Sequence, residues 1–152
     1  MRLNRLRLVV AFAAALAAAA VPPAAAQKLP VVQVRAGMHL VRAELAADFT
    51  SRMQGLMHRT AMGRNDGMLF VFDETSGHCM WMKNTLIPLS VAFLDEHGAV
   101  INVADMTPHS EDSHCATRPA RFALEMNRGW FAERGIGPGM RLGGIPGARP
   151  PK

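Results

Sequence analysis

Several motifs that would indicate an activity are missing from this 152-residue sequence. It has no G-x-S-x-G motif, which is typical of α/β-hydrolase nucleophiles. It has no C-x2-C spacing, which structural zinc sites commonly use. No segment repeats internally, which argues against a repeat architecture. The only cysteines lie far from the N-terminus, which excludes an N-terminal lipoprotein anchor.

The N-terminal segment predicts export. Residues 1–26 combine a head with three Arg and no acid, an Ala-rich apolar stretch at 8–21, and an Ala-Ala-Ala end. This pattern predicts a signal peptide cleaved near Ala26, because the apolar stretch is shorter than the roughly 20 residues that span a bilayer. We therefore expect a periplasmic or secreted protein with no stable membrane anchor after cleavage.

Little net charge remains after cleavage. The chain has 17 Lys and Arg against 12 acids, and residues 1–26 hold three Arg and no acid, which leaves 14 against 12. Because no basic run remains either, a nucleic-acid partner is not expected. We expect a monomer with a single domain at 27–142 and a disordered Gly- and Pro-rich tail at 143–152.

Alternation of apolar and polar residues predicts a small β-rich domain of the α+β class. The strands would be mostly antiparallel and form a barrel-like or sandwich-like sheet with two short helices. Asp48 or Thr50 would cap the first helix, and Met53, Leu56 and Met57 would face the core. Strands are expected at 31–35, 38–46, 68–72, 78–82, 89–94, 99–104 and 121–126, and helices at about 50–57 and 129–134.

Three local patterns within this scheme are informative. The run at 68–72 is wholly apolar, which is typical of a strand buried on both faces. The residues Asp95-Glu96-His97-Gly98 predict an antiparallel hairpin closed by a left-handed Gly98. The polar segment at 106–119 is long enough to be functional or held by a cross-link.

Cys79 and Cys115 each follow a histidine, His78 and His114. In an exported protein, two cysteines favour a disulfide bond, which here would close a loop of about 37 residues. A metal site built from both His-Cys pairs is the alternative. Since adjacent residues on a strand point to opposite faces, each pair would diverge, and we expect the disulfide.

Methionine is abundant, with 11 in the chain, and most fall at apolar positions where Met fills core space. His78, Met80 and Met82, however, would share one face of a predicted strand. Such soft ligands suit Cu(I). A periplasmic copper- or zinc-handling protein that uses His, Met and Cys is therefore the alternative function, although we expect no cofactor or metal.

No catalytic residue is predicted. Oxidised cysteines would leave no thiolate nucleophile, and neighbouring acids in polar turns are typical of solvated loop charges. A hydrolase is therefore the third function considered. The residues considered as nucleophiles or as acid/base pairs are Ser76, Ser90, Ser110, Ser113 and the pairs Asp73-Glu74, Asp95-Glu96 and Glu111-Asp112.

Four segments together closely resemble the family called domain of unknown function 192, over about residues 31–142. The segments are GLMHR at 55–59, DGMLFVF at 66–72, WMKNTLIPL at 81–89, and LEMN at 124–127 followed by Gly129. The resemblance implies a compact β-rich domain, often exported, with no established activity. The family usually has Asp at the positions of Ser90 and Met140. If the first of these two Asp residues serves catalysis in other members, this chain lacks it, so catalysis is less expected here.

The large apolar side chains of these segments are expected to be structural. Trp81 would anchor the core by burying its ring, with Met68 and Met82 beside it.

The polar residues Arg59, Lys83, Asn84 and Glu125 have two interpretations. They would form a latch that holds the turn, with Arg59 paired to Glu125 and Asn84 bonded to its own backbone. Alternatively, they would line a pocket for an anionic or carbonyl-bearing ligand or a peptide terminus. The function we expect is an exported, non-enzymatic binding or accessory protein for a small molecule, protein or peptide.

Overall fold

The computed structural model describes residues 28–150, so the expected signal peptide at 1–26 lies outside the described residues. Within 28–150 there are nine strands, one α-helix and one 3-10 helix. In chain order these are β1 (Val31–Ala36), β2 (His39–Ala46), α1 (Phe49–Gln54), β3 (Asp66–Ser76), β4 (Cys79–Met80), β5 (Leu89–Leu94), β6 (Val100–Met106), β7 (His114–Cys115), β8 (Ala120–Asn127), the 3-10 helix (Ala132–Arg134) and β9 (Leu142–Gly143). None of the helices in this range combines the length and the apolar character that crossing a membrane would require.

Seven strands form one curled sheet, shaped as a half-barrel, in the order β6-β5-β8-β3-β2-β1-β9. Neighbouring strands are antiparallel except β2 and β3, which are parallel. A parallel pair needs a crossover connection, and α1 lies in this one. Strands β4 and β7 form a separate two-stranded sheet. The predicted β-rich, mostly antiparallel fold is confirmed.

The central strands are buried on both faces. On β8, Phe122 and Leu124 pack in one apolar cluster, whereas Ala123 packs in a second cluster on the opposite face. Because side chains alternate along a strand, Glu125 shares the face of Ala123. Strand β3 divides its side chains in the same way, with Phe70 in the second cluster, as its wholly apolar run predicts.

The hairpin of β5 and β6 has the predicted turn. Gly98 has a φ of 78°, in the left-handed region. The Asp95 carboxylate accepts hydrogen bonds from the N–H groups of His97 and Ala99, at 2.8 and 2.9 Å. These contacts lie within five residues, so local sequence was sufficient to predict them.

The first helix is shorter than predicted. Asp48 caps it, accepting from the Ser51 N–H at 2.9 Å, but it ends at Gln54. Gly55 then turns the chain with a φ of 48°. The helical periodicity therefore stops early. Leu56 is buried as expected, whereas Met53 is 51% exposed, so its predicted core position is wrong.

The core tryptophan is Trp130, not Trp81. Trp130 is 2% exposed, and its indole N–H donates to the Asn65 side chain at 3.1 Å. Trp81 is 43% exposed because β4 ends one residue before it, so the predicted strand at 78–82 does not extend through Trp81. Met68 and Met82 are fully buried, as predicted.

Ordered structure continues past residue 142, the expected end of the domain. Strand β9 pairs with β1, and Ile145 is 7% exposed within the first apolar cluster. The Arg149 guanidinium lies 2.9 Å from the Glu96 carboxylate. The boundary was placed too early because the segment's few apolar side chains did not indicate burial.

Candidate functional site

A disulfide bond joins Cys79 and Cys115, which lie directly opposite each other on β4 and β7. The predicted pairing is confirmed. Asn102 holds the same region, because its amide donates to the Cys115 carbonyl at 3.2 Å and its side-chain oxygen accepts from the Thr117 N–H at 3.1 Å. Residues 28–150 contain no free cysteine, so neither sulfur is available as a thiolate nucleophile or metal ligand.

A small cavity lies among α1, the segment after it, β3, the β4–β5 connection and β8. We call it the Glu125 cavity. Its volume of about 30 Å³ has room for about one water molecule. Its lining residues are Arg52, Met53, Gln54, Gly55, Leu56, Met57, Phe70, Met80, Trp81, Thr85 and Glu125.

Glu125 is the unusual group in this lining. It is 3% exposed, and no hydrogen bond or ion pair involves its carboxyl group among the described residues. Burial alone raises the pKa of Glu125 from 4.5 to about 8, because the ionised form loses its hydration in apolar surroundings. The carboxyl group is therefore mostly protonated at neutral pH.

The one charged side chain that shares this cavity is already paired. The Arg52 guanidinium lies 2.6 Å from the Asp73 carboxylate and donates to the carbonyls of Ala47 and Val71 at 2.7 and 2.9 Å. Because those acceptors occupy it, Arg52 does not neutralise Glu125. The charge state of Glu125 is thus set by desolvation.

Backbone turns bring the wall segments together. Gly55 leaves α1 with a positive φ, which glycine adopts without steric cost, and packs beside Phe70. The His58 N–H then donates to the Asn84 carbonyl at 2.9 Å, which joins this segment to the β4–β5 connection. Thr85, buried in that connection, completes the wall.

Trp81 and Lys83 lie at the exposed side of the same region. The Lys83 ammonium is 5.2 Å from the centre of the Trp81 ring, a cation–π geometry. It also lies 3.8 Å from the Glu111 carboxylate. Asn84 is exposed and has a φ of 54°, so it forms the turn through its backbone conformation.

Arg59 lies in a different and larger cleft, of about 430 Å³. Both of its terminal nitrogens donate to the Glu44 carboxylate at 2.6 Å. This contact raises the pKa of Arg59 above its ordinary value. The predicted pair with Glu125 is therefore wrong: β2 supplies the partner. In the same cleft Arg42 pairs with Asp66 at 3.3 Å.

The four candidate ligand-binding residues therefore do not form one cluster. Glu125 lines the small cavity, Arg59 lines the large cleft, and Lys83 and Asn84 are exposed at the turn between β4 and β5. A latch that joins Arg59 to Glu125 does not form. A single pocket for an anionic ligand lined by Arg59, Lys83 and Asn84 does not form either.

The residues of the alternative metal site are also dispersed. The His78 ring stacks on Phe72, with 3.7 Å between ring centres, and its Nε2 lies 3.0 Å from the Glu74 carbonyl. Met82 is fully buried in the core, whereas Met80 lines the Glu125 cavity. Within residues 28–150, no three His, Cys, Asp or Glu side chains are grouped as metal ligands.

Ser90, which stands in place of the family's usual acid, has a structural role. Its hydroxyl donates to the Asp105 carboxylate at 2.5 Å and accepts from the Gly129 N–H at 2.8 Å. These bonds tie β5 to β6 and to the segment after β8. The serine is outside the lining of both cavities.

Sequence reasoning missed most of the cavity wall. Met53 and Met57 were expected in the core, and Gly55, Phe70 and Thr85 were not singled out. A signal was present in the sequence, because the four segments that resemble a known family each contribute to this wall. All four segments therefore meet at the same location in the fold, the Glu125 cavity.

A protein-family model described as DUF192, Uncharacterized ACR, COG1430, matches residues 31–144. No curated protein matches the chain.

Two solved structures are similar over most of the chain. A protein from Sinorhizobium meliloti 1021, described as a candidate transcription regulator, is 38% identical, with a TM-score of 0.70; the alignment covers 75% of this chain and 92% of that one. A protein of unknown function from Novosphingobium aromaticivorans DSM 12444 is 35% identical, also with a TM-score of 0.70, and the alignment covers 84% of this chain and 93% of that one.

Proposed function

The chain belongs to the DUF192 family, for which no activity is established, and on that premise we propose that it is an exported, monomeric binding protein. Its ligand site in this proposal is the Glu125 cavity. The single observation that carries the proposal is the carboxyl group of Glu125, which is 3% exposed and forms no hydrogen bond or ion pair with the other described residues, at a cavity that the family-like segments line in part.

An unpartnered buried carboxyl group is costly for folding. Burying a polar group without a hydrogen bond costs roughly 1–3 kcal/mol by protein mutational data, and buried polar side chains are therefore nearly always paired. Glu125 lies on a central strand, where an apolar residue would pack without this cost. A ligand that supplies the missing partner is a reason for an acid to be there.

The cavity wall favours a small, positively charged or hydrogen-bond-donating group. A carboxylate accepts hydrogen bonds only from such a group, and a cation would favour this ionised form over the protonated form that Glu125 has at neutral pH. The Trp81 ring, which is half exposed, presents a π face that attracts cations. The methionine side chains in the lining are flexible enough to admit a group and close on it.

Binding is favoured over catalysis because the wall offers no activated nucleophile. Among its residues the one hydroxyl belongs to Thr85, and that hydroxyl donates to the Lys83 carbonyl at 3.3 Å. The cysteines are joined to each other.

Export is supported by the disulfide bond between Cys79 and Cys115, since such bonds persist in oxidising compartments. The signal-peptide pattern of residues 1–26 supports it from the sequence.

The test uses protein labelled with ¹³C at the methionine methyl groups, and three probes: methylammonium, guanidinium and Ag(I). At least one probe is expected to shift the methyl signals of Met53, Met57 and Met80. The signals of Met38 and Met140, which are exposed elsewhere, should stay unchanged. If none of the probes moves the cavity signals selectively, the Glu125 cavity is not a ligand site.

A further inference from the structure

Three of the methionines meet at the Glu125 cavity: Met53, Met57 and Met80. Core filling accounts for them only in part, because Met80 alone of the three packs against the second apolar cluster. Met53 is 51% exposed, and Met57 and Met80 are half-buried. In contrast, the methionines that do fill the core are fully buried; these are Met68, Met82, Met106 and Met126.

The size of the cavity limits what it can hold. A volume of about 30 Å³ has room for one water molecule or one ion inside the cavity. A thioether side chain has three rotatable bonds, so the three methionines in this lining can adjust the positions of their sulfur atoms.

The chemistry of the wall selects a soft, monovalent ion. Thioether sulfur is a soft ligand that suits Cu(I), whereas Ca²⁺ and Mg²⁺ need several oxygen ligands and Zn²⁺ is bound chiefly by thiolate, imidazole and carboxylate groups. The wall supplies one carboxylate, from Glu125, and no imidazole. That carboxylate balances one positive charge, because Arg52 is paired with Asp73.

The disulfide bond serves this arrangement in two ways. It removes both thiols, which would otherwise compete for a soft ion. It also fixes β4 against β7, and thereby fixes Met80, which follows Cys79 directly on β4. In an oxidising compartment, thioethers remain as reduced sulfur ligands.

From these observations we propose that the Glu125 cavity is a site for one soft monovalent metal ion of the Cu(I) class, with the thioethers of Met53, Met57 and Met80 as ligands. Glu125 releases its proton when the cation binds and then supplies the counter-charge, and the half-exposed Trp81 ring lies in the same wall. This inference rests on the proposed function, because it assigns the ligand of the same cavity. It replaces the residue set His78, Met80 and Met82 that the sequence suggested.

The experiment titrates the purified protein, with its disulfide intact and without thiol reductants, with Ag(I), a redox-stable substitute for Cu(I). Competition with a chelator of known affinity measures the stoichiometry and dissociation constant. One ion per chain is expected. The volume-conserving variants Met57→Leu and Met80→Leu should each weaken binding by about tenfold or more. The matched control Met38→Leu, at an exposed site outside the cavity, should bind as the unaltered protein does.

The ¹³C-methyl spectrum of the unaltered protein provides a second readout that does not depend on any variant folding. Ag(I) should move the signals of Met53, Met57 and Met80 together, at one equivalent. The inference is overturned if Ag(I) does not bind, if both Leu variants bind it as tightly as the unaltered protein, or if it moves other methyl signals instead. If methylammonium or guanidinium then still moves the cavity signals, the proposed function stands and only the metal assignment fails.

Discussion

The buried carboxyl group of Glu125 should make the protein less stable as pH rises from about 5 to 8. In the folded chain Glu125 holds its proton up to a pKa of about 8, whereas in the unfolded chain it loses that proton near its ordinary value of 4.5. Between these two values the folded state binds one more proton than the unfolded state. The free energy of unfolding therefore decreases as pH rises through this window, and this contribution levels off above pH 8.

The magnitude follows from the shift. One proton of difference corresponds to about 1.4 kcal/mol per pH unit, which gives roughly 3 kcal/mol at pH 7 and at most about 5 kcal/mol above pH 8. Water that enters the cavity would reduce both figures. Even so, the effect is a large fraction of the 5–15 kcal/mol that typically stabilises a domain.

The variant Glu125→Gln keeps the shape of the side chain and removes the ionisation. Urea unfolding of the metal-free protein, followed by tryptophan fluorescence from pH 5 to pH 9, should show a smaller decrease in stability for this variant. At pH 7 it should exceed the unaltered protein by up to about 3 kcal/mol. Glu74→Gln, at an exposed site, serves as the control for the loss of one glutamate. Because the three proteins differ only at Glu125 or Glu74, the differences isolate Glu125. Parallel profiles for Glu125→Gln and the unaltered protein would refute the reasoning.

Three further predictions concern stability. Trp130→Ala should lower the free energy of unfolding by about 3–5 kcal/mol, whereas Trp81→Ala should lower it by about 0.5 kcal/mol or less, because only the Trp130 ring is buried. Urea unfolding measures both losses. Equal losses would contradict the difference in burial. Replacing Cys79 and Cys115 with Ser should cost about 4 kcal/mol, from the loop that the bond closes, and calorimetry that finds an unchanged melting temperature would argue against this. Asp48→Ala should cost about 1 kcal/mol through loss of the helix cap, with Asp48→Asn as the variant that retains most of it.

Features built from neighbouring residues were predictable. The hairpin at 95–98 depends on a side chain that bonds the backbone two and four residues on, and on a glycine at the left-handed position. The Asp48 cap depends on a residue three positions away. Such contacts form whatever the rest of the chain does, so pattern and turn chemistry are sufficient.

The choice between the two tryptophans was not predictable. Both lie in apolar segments, but the polar partner that Trp130 requires is Asn65, which is 65 residues away in sequence. Trp81 remains partly exposed because β4 pairs with β7 over only two residues. Burial of a large side chain depends on what the fold places above it, and a sequence window does not contain that information.

The grouping of the candidate site residues was predicted incorrectly for the same reason. Glu125 lies on the face of β8 opposite to Phe122 and Leu124, and the partner predicted for it was wrong, because Arg59 pairs with Glu44 on β2. An ion pair between distant segments is decided by strand order and register, and these are set by the whole sheet.

The sequence by itself determined the β-rich class, the cysteine pairing and the four segments in which a site had to be sought. These depend on local periodicity, on the redox chemistry of exported proteins and on motif identity. The tertiary structure alone decided that these segments converge around Glu125 and that three incompletely buried methionines border the same cavity. The physical reason is that a cavity is lined by side chains from strands and turns distant in sequence. Which residues line it is therefore determined only when the sheet curls and the connection between β2 and β3 packs against it.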